Sequence, residues 1–166
     1  MKIEKGILED LSSIMDLIQS VIQDMENQNI FLWNEYYPTT VVFENDILNN
    51  SLFLIRNEDG ILGIIVLDEN QSPEYSKIDW ISKDERVLVI HRLAINPKYQ
   101  SQGYARKLMY YAEEYAREHN YKAIRLDAYT GNLRALSFYE KRDYKKTGEL
   151  CFPWRELPFN CYEKVL

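Results

Sequence analysis

Cysteine, histidine and glycine are scarce in this chain, and each scarcity closes off a class of chemistry. The two cysteines, Cys151 and Cys161, lack the CxxC spacing of a zinc or redox site and have no histidine close by, so no metal is expected. A disulfide between them is disfavoured in a reducing compartment. Glycine is too sparse for two common nucleotide sites. A dinucleotide loop needs three glycines tight against a strand end and a P-loop needs Gly-Lys-Ser/Thr; neither pattern occurs. Long apolar runs are missing as well, none approaching the roughly 18 residues of a membrane span. The first ten residues carry Lys2, Glu4, Lys5, Glu9 and Asp10 where a signal peptide would be apolar; a cytoplasmic protein without a membrane partner is expected. Nor is there an excess of positive charge. A net charge of -6 and a pI near 5.0 repel a phosphate backbone, and no basic stripe interleaved with aromatics offsets them, so nucleic acid is not an expected partner.

What is present suits one small folded unit. At 166 residues and 46% hydrophobic content the chain can bury a core, and no linker, repeat or low-complexity segment divides residues 1–166. Hydrophobic spacing predicts the element order βα(α)βββαβαββ. Residues 1–6 read as a short strand. Leu11, Ile14, Met15, Ile18, Val21, Ile22 and Met25 then recur at three and four, an amphipathic helix. Residues 31–40 are turn-like and aromatic, and a second short helix is expected over 41–48. Runs at 52–55 and 61–67 flank Asn57-Glu58-Asp59-Gly60, a hairpin signal. The polar stretch 68–85 is expected to loop out before a strand at 87–95. Ala105, Leu108, Met109, Ala112 and Ala116 give the next helix a buried stripe, with His119-Asn120 at its end, where Asn tolerates a left-handed residue. Residues 123–128 read as a strand, 132–141 as a helix, and 144–149 with 160–166 as a closing antiparallel pair.

The junction after the 87–95 strand carries the strongest functional signal. Pro97 ends the strand by removing a ladder donor, and Gln100-Ser101-Gln102-Gly103-Tyr104-Ala105 leads into a helix. The first amides of a helix have no intrahelical partner, and the macrodipole adds roughly half a positive charge, so an anion is welcome there. Gly103 can take a positive φ and let backbone approach a phosphate. Lys98, Arg106 and Lys107 are close enough in sequence to help with phosphate charge, or else form a solvated surface. Asp127 stands where a ribose-binding acid would, which leaves a Rossmann-like reading as an alternative.

The pattern Gln100-x-x-Gly103-x-Ala105 between strand and helix resembles the acetyl-CoA motif of the GCN5-related N-acetyltransferase (GNAT) superfamily. Arg125-Leu126-Asp127-Ala128 resembles that family's fifth strand, residues 132–141 its fourth helix, and Asp143-Tyr144 the Gly-Phe/Tyr that follows. The matches span about residues 87–148, a little over a third of the chain. Ser101 and Asp143 stand where the family favours glycine; Asp143 would cost about 1 kcal/mol in a left-handed conformation, which Asp tolerates.

The resemblance implies an α+β (α/β-type mixed sheet) fold, a central mixed sheet with splayed parallel strands flanked by helices. It also implies an acetyl-CoA-dependent N-acetyltransferase working by direct attack in a ternary complex. The pantetheine arm would pair with Leu93 and Ile95. The pyrophosphate would sit on the amides from Gln102 to Arg106, with Gln100 as a further hydrogen-bonding candidate and Asn132 bonding the pantetheine amides or capping its helix. Tyr139 falls where the family places the residue that protonates the leaving thiolate. A packed core Tyr is the alternative in a chain with 13 tyrosines.

The acceptor's ammonium must lose a proton, and His91, one of two histidines, is the first candidate by pKa. Asp127, Glu44 and a water chain are others, and whether His91 or Arg92 looks into the cleft is open. An acceptor pocket is expected along residues 31–38, where Trp33, Glu35 and Tyr37, with Glu44 and Asp46, would favour a cation. Covering of the core by Trp33 and Tyr37 is the competing reading. A small amine or amino-acid-like acceptor leads, a protein N-terminus or Lys is the alternative, and a non-catalytic acyl-CoA sensor is the reading from another class. A homodimer is left open.

Overall fold

The computed structural model describes residues 1–166. Its elements follow the expected order. Strands β1 (Lys2–Lys5), β2 (Leu52–Asn57), β3 (Gly60–Asp68), β4 (Val87–Ile95), β5 (Ala123–Tyr129), β6 (Lys145–Leu150) and β7 (Phe159–Val165) form a seven-stranded mixed sheet in the order β1-β2-β3-β4-β5-β7-β6. Helices α1 (Leu11–Asn27), α2 (Thr40–Leu48), α3 (Tyr104–Glu118) and α4 (Leu133–Glu140) flank it. The chain divides into two compact units, Met1–Leu67 with His91–Ala112, and Asp68–Ile90 with Glu113–Leu166. Strand β4 and helix α3 pass from one into the other.

In the first unit β2 and β3 are buried along nearly their whole length, the continuous apolar pattern of strands covered on both faces. One face takes α1 through Ile14, Leu17, Ile18, Val21, Ile22 and Met25. The helix starts where Asp10 accepts from the Ile7 amide at 3.0 Å and from Arg56 at 2.9 Å. It ends at Asn29, whose φ of 58° only a left-handed residue can supply. The hairpin turns on Asn57, whose side chain accepts from the Asp59 amide at 2.9 Å, with β2 pairing β3 from Asn57–Gly60 onward. At Gly63 a Cβ would lie 2.8 Å from the Ala94 carbonyl and 2.5 Å from Ile95 Cδ1. Only glycine lets β3 and this part of β4 come so close.

In the second unit β4 and β5 are the parallel pair. Their ladder consists of Val87–Ala123, Leu88–Ile124 and Val89–Arg125 and then stops, although β5 goes on pairing β7 as far as Tyr129–Phe159. Strand β7 also pairs β6, with a bulge between Lys146 and Gly148. The stretch 68–85 is not the simple polar loop its composition suggests. A 3-10 turn at Pro73–Lys77 buries Tyr75, and Trp80 is buried just after it, donating its indole N–H to the Tyr75 carbonyl at 2.8 Å. Two buried aromatics in eighteen residues set no period, so the pattern could not reveal them.

What pins that stretch is a buried ion pair. Arg125 Nε donates to Glu163 Oε1 at 3.0 Å, with Glu163 wholly buried. Glu163 also accepts from the backbone N–H of Ile81 at 2.6 Å and of Ser82 at 3.2 Å. The Arg125 guanidinium lies 4.4 Å over the Trp80 ring and donates to Gln71 at 2.8 Å and to the Ser82 carbonyl. Removing one partner strands the other charge. Glu163→Ala should cost about 3–5 kcal/mol in urea denaturation, and Arg125→Met with Glu163→Leu should recover part of that loss. A cost below about 1 kcal/mol for Glu163→Ala would mean the pair is not desolvated.

Candidate active site

Strand β4 ends in Asn96-Pro97, where Asn96 Oδ1 accepts from the Lys98 amide at 3.0 Å and starts a 3-10 turn at Pro97–Tyr99. Two left-handed residues follow, Ser101 at φ 61° and Gly103 at φ 86°, and α3 begins directly after them. The first-turn amides of α3 have no intrahelical partner. A Cβ on Gly103 would meet only Arg106 Nη2, at 3.3 Å. Glycine is therefore needed there for its φ, and the space above it is open apart from one flexible guanidinium.

Around this turn Lys98 lies 5.2 Å over the Tyr99 ring and Lys107 5.2 Å over Tyr104, the two rings meeting edge-on at 6.4 Å. Although the chain is acidic overall, no Asp or Glu occurs between Glu85 and Glu113, a span that holds Arg86, Arg92, Lys98, Arg106 and Lys107. Of these, Arg86 pairs with Glu69 and Arg92 with Asp46, while Lys98, Arg106 and Lys107 lie within a few residues of the start of α3. Ser101, Gln102 and Arg106 are exposed, Gly103, Tyr104 and Ala105 half-buried. The Gln100 amide group is turned inward, 3.4 Å from both Asp24 Oδ2 on α1 and the Ile95 carbonyl, and Gln102 reaches the Lys98 carbonyl at 3.3 Å.

The strand alternation that the sequence left undecided is resolved by Arg92. Its guanidinium grips Asp46 on α2 with contacts of 2.6 to 3.1 Å and donates to the Tyr37 hydroxyl at 2.8 Å. Arg92 thus faces α2, and His91, Leu93 and Ile95 face the other way; Ile95 packs where a Gly63 Cβ would be. The aromatic segment is tied down by the same knot. Asn34 Oδ1 accepts from the amides of Tyr36 at 2.9 Å and Tyr37 at 3.2 Å, and the Tyr37-Pro38 bond is cis. Trp33 packs against the core, while Phe31, Glu35, Tyr36 and Tyr37 are exposed. Asp46, expected to draw a cation, is already neutralised by Arg92. Neither partner of this knot was legible, because they lie 46 and 55 residues from Arg92.

Asn132 caps α4, its side chain accepting from the Ala135 amide at 3.1 Å. Asp143 adopts φ 65°, the left-handed turn that follows the helix. Tyr139 is buried, with its ring 5.3 Å from Phe138 and 6.1 Å from both Tyr144 and Tyr162. Burial, then the negative charge of Asp127, raises its hydroxyl above the ordinary tyrosine value, so it stays protonated at any physiological pH. Asp127 itself accepts a 2.7 Å hydrogen bond from Tyr75, a contact across 52 residues that no local pattern announces. No cluster of three or more His, Cys, Asp or Glu side chains is arranged to hold a metal ion, and no helix is long and apolar enough to cross a membrane.

The strand, the Ser101–Gly103 turn and α3 thus follow one another on a mixed sheet whose parallel ladder is three residue pairs long. The family model of the acetyltransferase (GNAT) family matches residues 18–144, and the chain belongs to that family. An uncharacterized N-acetyltransferase of Archaeoglobus fulgidus is 32% identical over 106 residues, 62% of this chain and 72% of that protein. Among solved structures, a GNAT-family acetyltransferase of Streptococcus agalactiae superposes with a TM-score of 0.86 at 19% identity, covering 99% of this chain and 95% of its own. The PaiA N-acetyltransferase of Thermoplasma acidophilum, solved in complex with coenzyme A, gives 0.73 at 17% identity, covering 99% and 98%.

The turn makes a prediction of opposite signs at neighbouring positions. Gly103→Ala should destabilise by about 1 kcal/mol, because alanine resists positive φ even where there is room. Ser101→Gly should be neutral or stabilise by a few tenths of a kcal/mol, since it relieves the same strain at the cost of unfolded-state entropy. Denaturant midpoints check both, and equal losses at the two sites would contradict the assigned backbone.

Proposed function

We propose that this N-acetyltransferase-family chain uses acetyl-CoA as its acyl donor and transfers the acetyl group by direct attack to a primary amine, a small-molecule or amino-acid-like acceptor. The observation that carries the reading is the end of the β4–β5 ladder at Val89–Arg125. The ladder is not continued past that pair, and backbone N–H and C=O groups of a strand require partners. The amide-bearing pantetheine arm supplies them, pairing with Leu93 and Ile95 as an added strand would. The pyrophosphate takes the amides from Gln102 to Arg106 at the start of α3, where Gly103 allows close approach and Lys98, Arg106 and Lys107 add positive charge. Asn132 is held by its cap, which leaves its amide N–H₂ for a pantetheine carbonyl. The exposed aromatics of residues 31–38, with Glu35, suit a cationic acceptor.

In the reaction the amine lone pair adds to the thioester carbonyl carbon, and the C–S bond breaks as the C–N bond is completed. The CoA sulfur leaves as thiolate and takes a proton from Tyr139. Even for a free tyrosine, near pKa 10 against about 8.5 for a thiol, transfer is uphill by roughly 2 kcal/mol, and burial holds the Tyr139 proton more tightly still. Tyr139 therefore acts first as a hydrogen-bond donor to the sulfur as charge develops, and the proton crosses late.

Tyr139→Phe deletes the donor and keeps the ring among Phe138, Tyr144 and Tyr162. It should lower kcat about 10- to 100-fold, roughly 1.4–2.7 kcal/mol, with little change in acetyl-CoA affinity. The loss should shrink with an acyl donor whose thiol is more acidic. Full activity of Tyr139→Phe in a thiol-release assay would make Tyr139 a packing residue.

A further inference from the structure

The connection between β6 and β7, residues 151–158, holds a cation that the protein leaves uncommitted. We propose that Arg155 in this connection binds the carboxylate of the acceptor, so that the amine acetylated is that of a free amino acid, with the Trp154 ring covering the amino acid's side chain. The inference rests on the acetyl-transfer reading above and adds the chemical class of the acceptor.

Three side-chain nitrogen or oxygen atoms are shut off from solvent without a hydrogen-bond partner, Arg56 Nε, Arg155 Nε and Asn160 Oδ1. Arg56 Nε nevertheless lies 2.8 Å from Glu4 Oε1, and the Asn160 amide is held through its nitrogen, which donates to the Tyr162 hydroxyl at 3.3 Å. Arg155 has no such carboxylate. Its side chain donates once, from Nη1 to the Trp154 carbonyl at 2.7 Å. Glu156, next in sequence, is exposed and does not close on Arg155 Nε. What remains is the edge formed by Nε and Nη2, whose two parallel N–H bonds match the two oxygens of a carboxylate. Nη2 is not shut off from solvent, so a carboxylate reaches the edge from that side. A charged donor left dry and unpaired costs free energy, and an anion docked on this edge removes that cost.

The connection is fastened to the carboxyl end of β5. The Pro158 carbonyl accepts from the Thr130 amide at 3.0 Å and from its hydroxyl at 2.7 Å, and Phe159 pairs with Tyr129, their rings 5.2 Å apart. Phe152 meets Phe159 edge-on at 5.0 Å and stacks on Trp154 at 4.9 Å, and the Arg155 amide donates to the Phe152 carbonyl at 3.1 Å. Arg155 is thus anchored through a chain of rings that begins at Tyr129. The Tyr129 carbonyl accepts from the Asn132 amide at 3.0 Å, and Asn132 caps the helix that carries Tyr139. Ligands of sheets with parallel strands collect at the carboxyl ends of those strands, and that is the end of β5 to which Arg155 is tied.

Trp154 is 62% exposed although its ring is stacked on Phe152. A large flat apolar surface held beside a free guanidinium suits a ligand with an anionic end and an apolar or aromatic body. In the reaction the amino-acid zwitterion becomes an N-acetyl amino-acid anion as acetyl-CoA becomes CoA thiol, with one proton released. The carboxylate held by Arg155 is unchanged throughout.

The test is thiol release from acetyl-CoA with each common amino acid against its carboxamide, for wild type, Arg155→Ala and Arg155→Lys. The carboxamide keeps the side chain and has the less basic amine, so more of it is neutral near pH 7, and a preference for the acid must come from the carboxylate. For the amino acids turned over, wild type should favour the acid in kcat/KM about 30-fold or more. Arg155→Ala should bring that ratio towards one through KM for the acid, and Arg155→Lys should restore only part of it, because an ammonium lacks the two-donor edge. A rise in melting temperature with CoA in both variants shows that they are folded. Independently of turnover, the N-acetyl amino acid added with CoA should stabilise wild type more than the N-acetyl carboxamide does, a difference lost in Arg155→Ala. A wild-type ratio near one, a ratio that survives Arg155→Ala, or thiol release with tyramine or spermidine but with no amino acid overturns the assignment while leaving acetyl transfer intact. A wild type that releases thiol with none of these amines overturns the acetyl-transfer reading, and this inference with it.

Discussion

Two neighbouring parallel strands that hydrogen-bond for three residue pairs and then stop are the constraint on which the rest depends. A parallel ladder normally runs the length of its shorter strand, because every buried amide and carbonyl left out of it costs free energy. Here β4 continues to Ile95 and β5 to Tyr129 after the ladder ends at Val89–Arg125. The remainder of β5 is secured from its other edge by β7. On β4 the proposed pantetheine thioester has amides of its own to offer Leu93 and Ile95. The 3-10 turn at Pro97–Tyr99, the Ser101–Gly103 turn and the start of α3 follow the end of β4, so in the proposed reading one strand leads from the arm to the phosphates.

Polar burial in this protein serves placement more than stability. The Arg125–Glu163 pair is deeply buried, and such pairs seldom outperform apolar replacements energetically. Its bonds, however, run to the backbone and side chains of residues 71–82 and hold Tyr75 to Asp127. The Arg92–Asp46 pair does the equivalent in the other unit, fastening α2 and the Tyr37 hydroxyl to β4. In each unit a charged residue of a central strand fixes the geometry of an irregular segment that brings aromatic side chains with it.

Much of this was legible because it is local. The Asn96-Pro97 strand end, the glycine at the helix start, the hairpin at Asn57–Gly60, the Asn132 cap and the left-handed Asn120 and Asp143 each depend on residues within a few positions, and their chemistry names the conformation they adopt. The fold class was implied by the resemblance of residues 87–148 to the GNAT superfamily, with which the element order agrees. What stayed hidden needs contacts across 38 to 55 residues: Arg125 with Glu163, Arg92 with Asp46 and Tyr37, Tyr75 with Asp127. The reading of 68–85 as a plain loop failed for the same reason, since Tyr75 and Trp80 are recruited by β5 and β7 and follow no period of their own. His91 and Arg92 show the limit most simply. Alternation says that they face apart, but only the grip of Arg92 on Asp46 says which way each one faces.

The most direct measurement of the central claim is the melting temperature with and without ligand, for wild type and Gly103→Glu. CoA should raise the wild-type value substantially, as any ligand that binds only the folded state must. NAD, which has the pyrophosphate but no pantetheine arm to pair with β4, should raise it far less. Gly103→Glu, which puts bulk and negative charge where the phosphates would lie, should abolish the rise with CoA. An equal response to CoA and NAD, or a full CoA response in Gly103→Glu, would contradict the account.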